Sequence, residues 1–274
     1  MIDAHAHLQA EAFAADLPEV LARAAEAGVR RILVPGWDLD SSRAAVALCG
    51  AQGPAGPRLD AAVGVHPHVA GSVDDEAWAE LEALAADAAV VAVGETGLDY
   101  DRMFSPREAQ LANLRRHLEL ARRVARPLIL HCRSAAGRRD AQDELLAELE
   151  RAGIGAAEWG SVLGGRPPAV LHSYSGPVDY GERAIALGLA VSFSGLVFRT
   201  GEEASATVAR AVPADRLLVE TDSPYLAPRS APRRRNEPAF VGLTTAWLAE
   251  RRTNEAASLG RDLVRSYERI FGPA

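Results

Sequence analysis

Val90-Val91-Ala92-Val93-Gly94-Glu95 is a short apolar run that ends in a glycine and a carboxylate; Ser105-Pro106-Arg107-Glu108 then opens a helical pattern to Ala125, and Leu128-Ile129-Leu130-His131-Cys132 is apolar again. Brief valine- and leucine-rich runs closed by Gly, Pro or a polar cluster read as strands covered on both faces. The spacing from Ser105 to Glu108 is that of a capping box, with Pro106 at the first helical position. Working outward, the same strand signal recurs at Ile2–His7, Arg31–Pro35, Leu59–His66, Val170–Ser173, Leu189–Ser194 and Leu217–Thr221. Helical patterns fill the intervals at Pro18–Ala27, Ser42–Gly50, Asp74–Ala88, Asp140–Ala152, Asp179–Leu187 and Glu203–Ala211, and Thr244–Phe271 supplies further helix. Strands and helices alternating in this way over about 250 residues predict an α/β fold, a single (β/α)8 TIM-type barrel, rather than an open doubly wound sheet. No Gly-x-Gly-x-x-Gly leads from a strand into a helix, which argues against a dinucleotide site. Gly153–Pro168 reads as a loop or insertion able to reshape the mouth beside strand six. Ala227–Pro238, with Arg229 and Arg233-Arg234-Arg235, reads as a second loop. Neither marks a boundary, so residues 1–274 are expected to form one domain.

The 274 residues are 48% apolar and 24% charged, the values of an ordinary globular protein able to bury roughly three quarters of its extended-chain surface. Thirty basic against 37 acidic residues leave a net charge of −7, which repels nucleic acid and anionic membranes in general, so any nucleic-acid chemistry must be local. Every basic residue is arginine. That removes a Schiff-base lysine, a phosphate-loop lysine and a carboxylated-lysine metal bridge. Two cysteines cannot make a disulfide framework. The chain opens directly into Ile2-Asp3-Ala4-His5 without a basic leader, and no run of about 18 apolar residues could span a bilayer. The expectation is a cytoplasmic protein with no membrane association and no obligate protein partner.

The strand ends carry the chemistry. Strand one ends in His5 and His7, two residues apart and therefore on one face. Strand three ends in His66-Pro67-His68, strand four in Glu95, strand five at His131, strand six at His172 and strand eight at Glu220-Thr221-Asp222. Six of the seven histidines thus fall at C-terminal strand ends, which in a barrel converge on the face that carries active sites. A lone histidine there is commonly a hydrogen-bonded core residue, but so many buried imidazoles and carboxylates without a cation carry a large desolvation cost. His5, His7, Glu95, His131, His172 and Asp222 suffice for two metal ions. Only a carboxylate can bridge two cations with its two oxygens, and Glu95 is the central candidate. The mixed donors suit Zn or Mn, and open positions accept Mg.

Around that cluster the readings divide. Asp3 and Asp99 are either groups that orient the ligands or ordinary strand-end aspartates. Cys132 follows His131, so alternation turns it toward the helices, and no Gly-x-Ser-x-Gly elbow offers a serine nucleophile. His117, inside a helical run, belongs to a surface or to packing.

The motifs Asp3-Ala4-His5-Ala6-His7-Leu8, Gly64-Val65-His66-Pro67-His68, Gly94-Glu95-Thr96-Gly97-Leu98-Asp99-Tyr100, Leu130-His131-Cys132-Arg133-Ser134-Ala135, His172-Ser173-Tyr174-Ser175-Gly176, Glu220-Thr221-Asp222-Ser223-Pro224-Tyr225-Leu226 and Arg235-Asn236-Glu237-Pro238 together resemble the TatD family of metal-dependent deoxyribonucleases. They run in family order across nearly the whole chain. Tyr174 stands where that family usually has phenylalanine. The resemblance implies a TIM-barrel hydrolase with two divalent metal ions (Mg, Mn or Zn) that cleaves DNA phosphodiesters by an activated water. It implies a 3′-5′ exonuclease, and the acidic chain, which lacks the broad basic surface needed to track a duplex, favours single-stranded DNA bound by its end. By motif match His5, His7, Glu95 and Asp222 hold one metal, and Glu95, His131 and His172 the other. Glu95 and Asp222 are then catalytic, Asp222 as proton acceptor, and His66 touches the substrate phosphate. Arg133 is a second phosphate contact or, alternatively, the partner of a carboxylate. The arginines of Ala227–Pro238 touch flanking phosphates or are solvated. A related metallohydrolase acting on another ester or amide, such as aminoacyl-tRNA or a lactone, would keep every ligand and differ in the loops of the mouth.

Overall fold

The computed structural model describes residues 1–51, 56–199 and 203–273. Among them, eight parallel strands join in chain order into one sheet: β1 (Ile2–Asp3), β2 (Arg31–Pro35), β3 (Arg58–Val63), β4 (Val90–Asp99), β5 (Leu128–Arg133), β6 (Ala169–Leu171), β7 (Ala190–Phe193) and β8 (Leu217–Val219). Between and after them run α1 (Leu17–Glu26), α2 (Leu39–Gly50), α3 (Asp75–Leu84), α4 (Arg107–Val124), α5 (Asp140–Arg151), α6 (Ala157–Val162), α7 (Val178–Ala186), α8 (Glu203–Ala211), α9 (Val241–Arg252) and α10 (Ala256–Phe271). The sheet closes on itself. Ala4 N–H donates to the Val219 carbonyl (3.0 Å), Asp222 N–H to that of His5 (2.9 Å) and His7 N–H to that of Ser223 (2.7 Å). This is the TIM-type barrel that the alternation predicts. None of the described helices is long and apolar enough to cross a membrane.

Several local expectations yield to tertiary structure. Regular pairing of strand one stops at Asp3 instead of His7. Beyond it the chain bonds alternately to its two neighbours, with Ala6 N–H on the Leu33 carbonyl (2.9 Å) and His7 N–H on that of Ser223. Ser105 does not cap α4. Its hydroxyl donates to the His68 carbonyl (2.9 Å) and accepts from Gly71 N–H (3.1 Å), so it fastens the turn after β3, while Pro106 takes the cap position and the helix begins at Arg107. The segment Gly153–Pro168 contains α6, which forms because Trp159 buries its ring and donates its indole N–H to the Ala152 carbonyl (2.9 Å). It lies before β6, grouped with Gly188 and Arg216 at the N-terminal ends of the barrel strands. It therefore stands on the face opposite the mouth and does not reshape it. The tail is two helices, broken where Thr253 turns left-handed (φ 53°). His117 is wholly buried in α4, packed edge-on against Trp78, donating from Nδ1 to the Asn113 carbonyl (2.8 Å) and accepting at Nε2 from Val65 N–H (3.0 Å). Burial pushes its pKa down to about 4, so it packs as a neutral ring.

Candidate metal centre

The C-terminal strand ends open into a cavity of about 720 Å³ whose floor carries His7, His66, Glu95, His131, His172 and Asp222. Glu95 reaches its centre through an irregularity in β4. Val93 pairs with Leu128 but Thr96 with Leu130, so the partner strand has one residue fewer between those pairs. A bulge of this kind re-aims a side chain and bends the strand. Two glycines permit it. A Cβ on Gly94 (φ 143°) would fall 2.6 Å from the Ile129 carbonyl oxygen, and one on Gly97 (φ 135°) 1.9 Å from that of His131. Only glycine lets β4 lie this close to β5 in that conformation. Asp222 is itself left-handed (φ 57°), a region that aspartate tolerates better than most residues.

Two groups of donors share Glu95. On one side are its Oε2, His5 Nε2, His7 Nε2 and Asp222 Oδ1. The separations are 3.2 Å between the two imidazoles, 3.3 and 3.7 Å from Glu95 to His5 and His7, and 3.9 and 3.5 Å from Asp222 to His5 and His7. Four ligands around an ion at ordinary bond lengths stand about 3.3–3.6 Å apart, so this group has the dimensions of a tetrahedral cage. On the other side, Glu95 Oε1 is 2.9 Å from His172 Nε2 and 3.2 Å from His131 Nδ1, and those two nitrogens are 3.3 Å apart. The donor types and spacings fit divalent metal on each side of one carboxylate.

The outer contacts decide which nitrogen is free. His7 Nδ1 lies on the Pro35 carbonyl (3.2 Å), His172 Nδ1 on Glu220 Oε1 (3.1 Å) and His131 Nε2 on Asp99 Oδ2 (3.3 Å). In the neutral form of each ring the proton belongs on the outer nitrogen, so the other nitrogen turns its lone pair inward once the second proton has left. His66 is different. Its Nε2 stands 3.3 Å from Glu95 Oε1, within ligand range, but its Nδ1 accepts from His68 N–H (3.1 Å). Burial brings its pKa to about 4, so the single proton of the neutral ring sits on Nε2. That proton points at Glu95 Oε1, which sets His66 apart from the rings whose protons are held on the outer side.

Charge is concentrated here. Burial acts against the Glu95 carboxylate, yet His172, His66 and His5 hold its pKa well below the usual range. His172 is raised well above an ordinary imidazole because Glu95 and Glu220 outweigh its desolvation, and His7 and His131 are raised by their carboxylate neighbours in the same way. A metal entering must displace those protons, so affinity falls as pH falls.

The structure thus brings His5, His7, Glu95 and Asp222 together, and Glu95 with His131 and His172. Arg133 lines the cavity but pairs with Asp101 (2.9 Å). Asp3 touches no ligand side chain. It accepts from Thr221 N–H (2.9 Å), Thr221 Oγ1 (2.6 Å) and His5 N–H (3.3 Å), which fixes the end of β8 against β1. Burial nevertheless raises its pKa to about 8. Arg235 is taken up by ion pairs, with Asp16 (2.7 Å) and Glu237 (3.1 Å), and keeps only part of its side chain in solvent. Cys132 lies against Tyr180 of α7 while also lining the cavity, and burial pushes its thiol up to about 12, which leaves no thiolate for attack. Glu220 escapes a reading centred on Asp222; it lies just past the end of β8, buried behind His172. His68 is likewise more than a strand-end histidine, donating from Nε2 to Asp99 (2.7 Å).

Glu220→Gln keeps the shape but removes the charge behind His172. It is expected to weaken metal binding about 10- to 100-fold, read by competition with a chromophoric chelator. Unchanged affinity would mean that Glu220 plays no part in holding the ligand.

The family described as TatD related DNase matches residues 2–272 of this chain. A protein named 3'-5' ssDNA/RNA exonuclease TatD from Erwinia billingiae is 37% identical, the match covering 99% of this chain and 98% of that one. An uncharacterized metal-dependent hydrolase, YabD of Bacillus subtilis, is 31% identical over 99% of this chain and 98% of its own length. Among solved structures, the TatD homologue YJJV of Escherichia coli superposes with a TM-score of 0.83 at 28% identity, covering 100% of this chain and 98% of that one.

Proposed function

The chain belongs to the family of TatD-related DNases, and from that premise we propose that it is a metal-dependent 3′-5′ exonuclease acting on single-stranded DNA. The observation that carries this reading is Glu95, whose two oxygens face two different sets of imidazoles. His5, His7, Glu95 and Asp222 would hold one divalent ion, and Glu95, His131 and His172 a second. Bound there, the metal supplies Lewis acidity that activates water and neutralises phosphate charge.

The protein's own groups do the rest. Glu95 is almost sealed, with 4% of its side chain exposed, whereas Asp222 is open to 14%. Asp222, the more open of the two carboxylates, would help hold the ion and would serve as proton acceptor for the attacking water. His66 offers Nε2–H to a non-bridging phosphate oxygen. Arg133, steadied by Asp101 with nearly half its side chain in solvent, approaches a flanking phosphate from the rim. The net charge of −7 confines attraction for a polyanion to this mouth, so few phosphates are engaged at once.

The test compares linear single-stranded oligonucleotides, linear duplex and closed circular duplex, with end-labelled products resolved over time. We expect stepwise loss of 3′ nucleotides from single strands, with closed circles resistant. Engagement of only a few phosphates further predicts a shallow fall in affinity with salt. Equal cutting of circles and single strands would sink the end-directed reading. Inactivity on every polynucleotide with turnover of a lactone or aminoacyl ester would replace the substrate class while leaving the metal centre intact.

A further inference from the structure

The chain has four tryptophans, five tyrosines and six phenylalanines, and only Phe104 (68% exposed) and Tyr225 (58%) stand out in solvent. A single exposed aromatic is ordinary, but these two share one place. Both line the cavity above the metal centre. Phe104, in the loop after β4, rests edge-on against His68 with ring centres 4.8 Å apart, and His68 packs in turn on His66 and bonds Asp99. Tyr225, in the loop after β8, rests edge-on against His7 at 5.9 Å. One ring therefore stands at the His66–His131 end of the donor cluster and the other at the His5–His7 end. Neither ring has a stacked aromatic partner among the described residues, and Arg102, Arg133 and Arg199 share the rim with them.

We propose that Phe104 and Tyr225 are the two platforms on which unpaired bases stack, one on each side of the linkage to be cut; this rests on the exonuclease reading above. The chemistry favours bases over other occupants. An aromatic face flanked by guanidinium groups suits a chain that alternates flat π-systems with phosphates, as single-strand binders show. It also supplies a physical basis for strand preference. In a duplex the faces of each base are covered by its neighbours, so only unpaired or terminal bases can lie on these rings. The arrangement is indifferent to sequence, because every base has a π-face.

The experiment compares a single-stranded oligonucleotide with one whose two 3′-terminal nucleotides are abasic. For the metal-loaded wild type, removing those two bases is expected to raise KM about 10²- to 10⁴-fold, about 10- to 100-fold for each lost base–aromatic stack. Phe104→Ala and Tyr225→Ala should each raise KM by about 10- to 100-fold, one stack's worth, on the base-bearing strand and little further on the abasic one. Phe104→Trp and Tyr225→Phe should behave as wild type. A phosphorothioate-protected strand ending in 2-aminopurine gives a readout without turnover, its fluorescence being quenched by the wild type and not by the alanine variants. Equal losses for the variants on both strands, or unaltered KM and quenching, overturn the proposal. Wild-type digestion of single strands with no dependence on terminal bases sinks this inference alone. A wild type that cuts no single strand of any composition sinks the exonuclease reading as well.

Discussion

Glu95→Ala is expected to remove both ions together and to lower turnover at least about 10³-fold, since it forfeits several kcal/mol of charge stabilisation in the transition state. The expectation comes from the position of the two oxygens. Oε2 lies 3.3 Å from His5 Nε2, and Oε1 lies 2.9 Å from His172 Nε2, so one side chain completes both donor sets. Variants on either side should divide. His5→Ala or His7→Ala should cost mainly one ion, and His131→Ala or His172→Ala mainly the other. His66→Ala is the contrasting case. On the proposed role of His66 as a phosphate donor through Nε2, this variant should keep near-normal metal content while losing about 10²–10³ in rate, the usual size for one donor to a developing anion. Metal analysis beside single-turnover rates separates these outcomes. Two tightly bound ions and a near-normal rate in Glu95→Ala would show the bridge to be wrongly assigned.

Exhaustive chelation is the second large effect. Dialysis against EDTA should abolish digestion, and a divalent ion should restore it. The barrel itself should survive, because its hydrophobic core is built from other residues and the donor residues join the closed ladder through their backbones, which do not need the metal. Its stability should still respond. A ligand that binds only the folded state adds about 2.7 kcal/mol at one hundred times its dissociation constant, so Tm should rise with added metal and go on rising with the logarithm of its concentration after the sites fill. Full activity in excess EDTA, with elemental analysis showing no bound metal, would exclude the metal-centred mechanism.

Much of the architecture is visible in local pattern. Arg31–Pro35 is a strand with the expected bounds, and Leu128–Cys132 is extended by only one residue. Doubly covered parallel strands are continuous apolar runs, and such runs need little context to recognise. The errors occur where a side chain answers to something distant. Ser105 has the spacing of a helix cap, but its hydroxyl is taken by the turn carrying His68 and Gly71. The glycine-rich appearance of Gly153–Pro168 conceals a helical turn that exists because Trp159 finds a buried pocket. Gly94 and Gly97 within a strand are a legible mark of a bulge, and they account for the reach of Glu95. Glu220 stands in the same strand-end motif as Asp222, but its contact with His172 depends on a strand 48 residues away.

By itself, the sequence determines that eight strands alternate with helices, in what order, and that six histidines and several carboxylates gather at one end of a barrel. Those properties follow from periods of two and 3.6 residues and from the convergence of parallel strand ends. Tertiary structure alone decides how the donors divide around Glu95, which nitrogen of each ring faces inward, and which arginines remain available. Such facts rest on pairs remote in the chain. Asp3 holds Thr221 across 218 residues, and Arg23 and Arg235 enclose the buried carboxylate of Glu237, the first from 214 residues away. The tautomer of His172 is set by Glu220 and that of His131 by Asp99. A hydrogen bond depends on distance and direction in space, and local periodicity carries neither across a closed barrel.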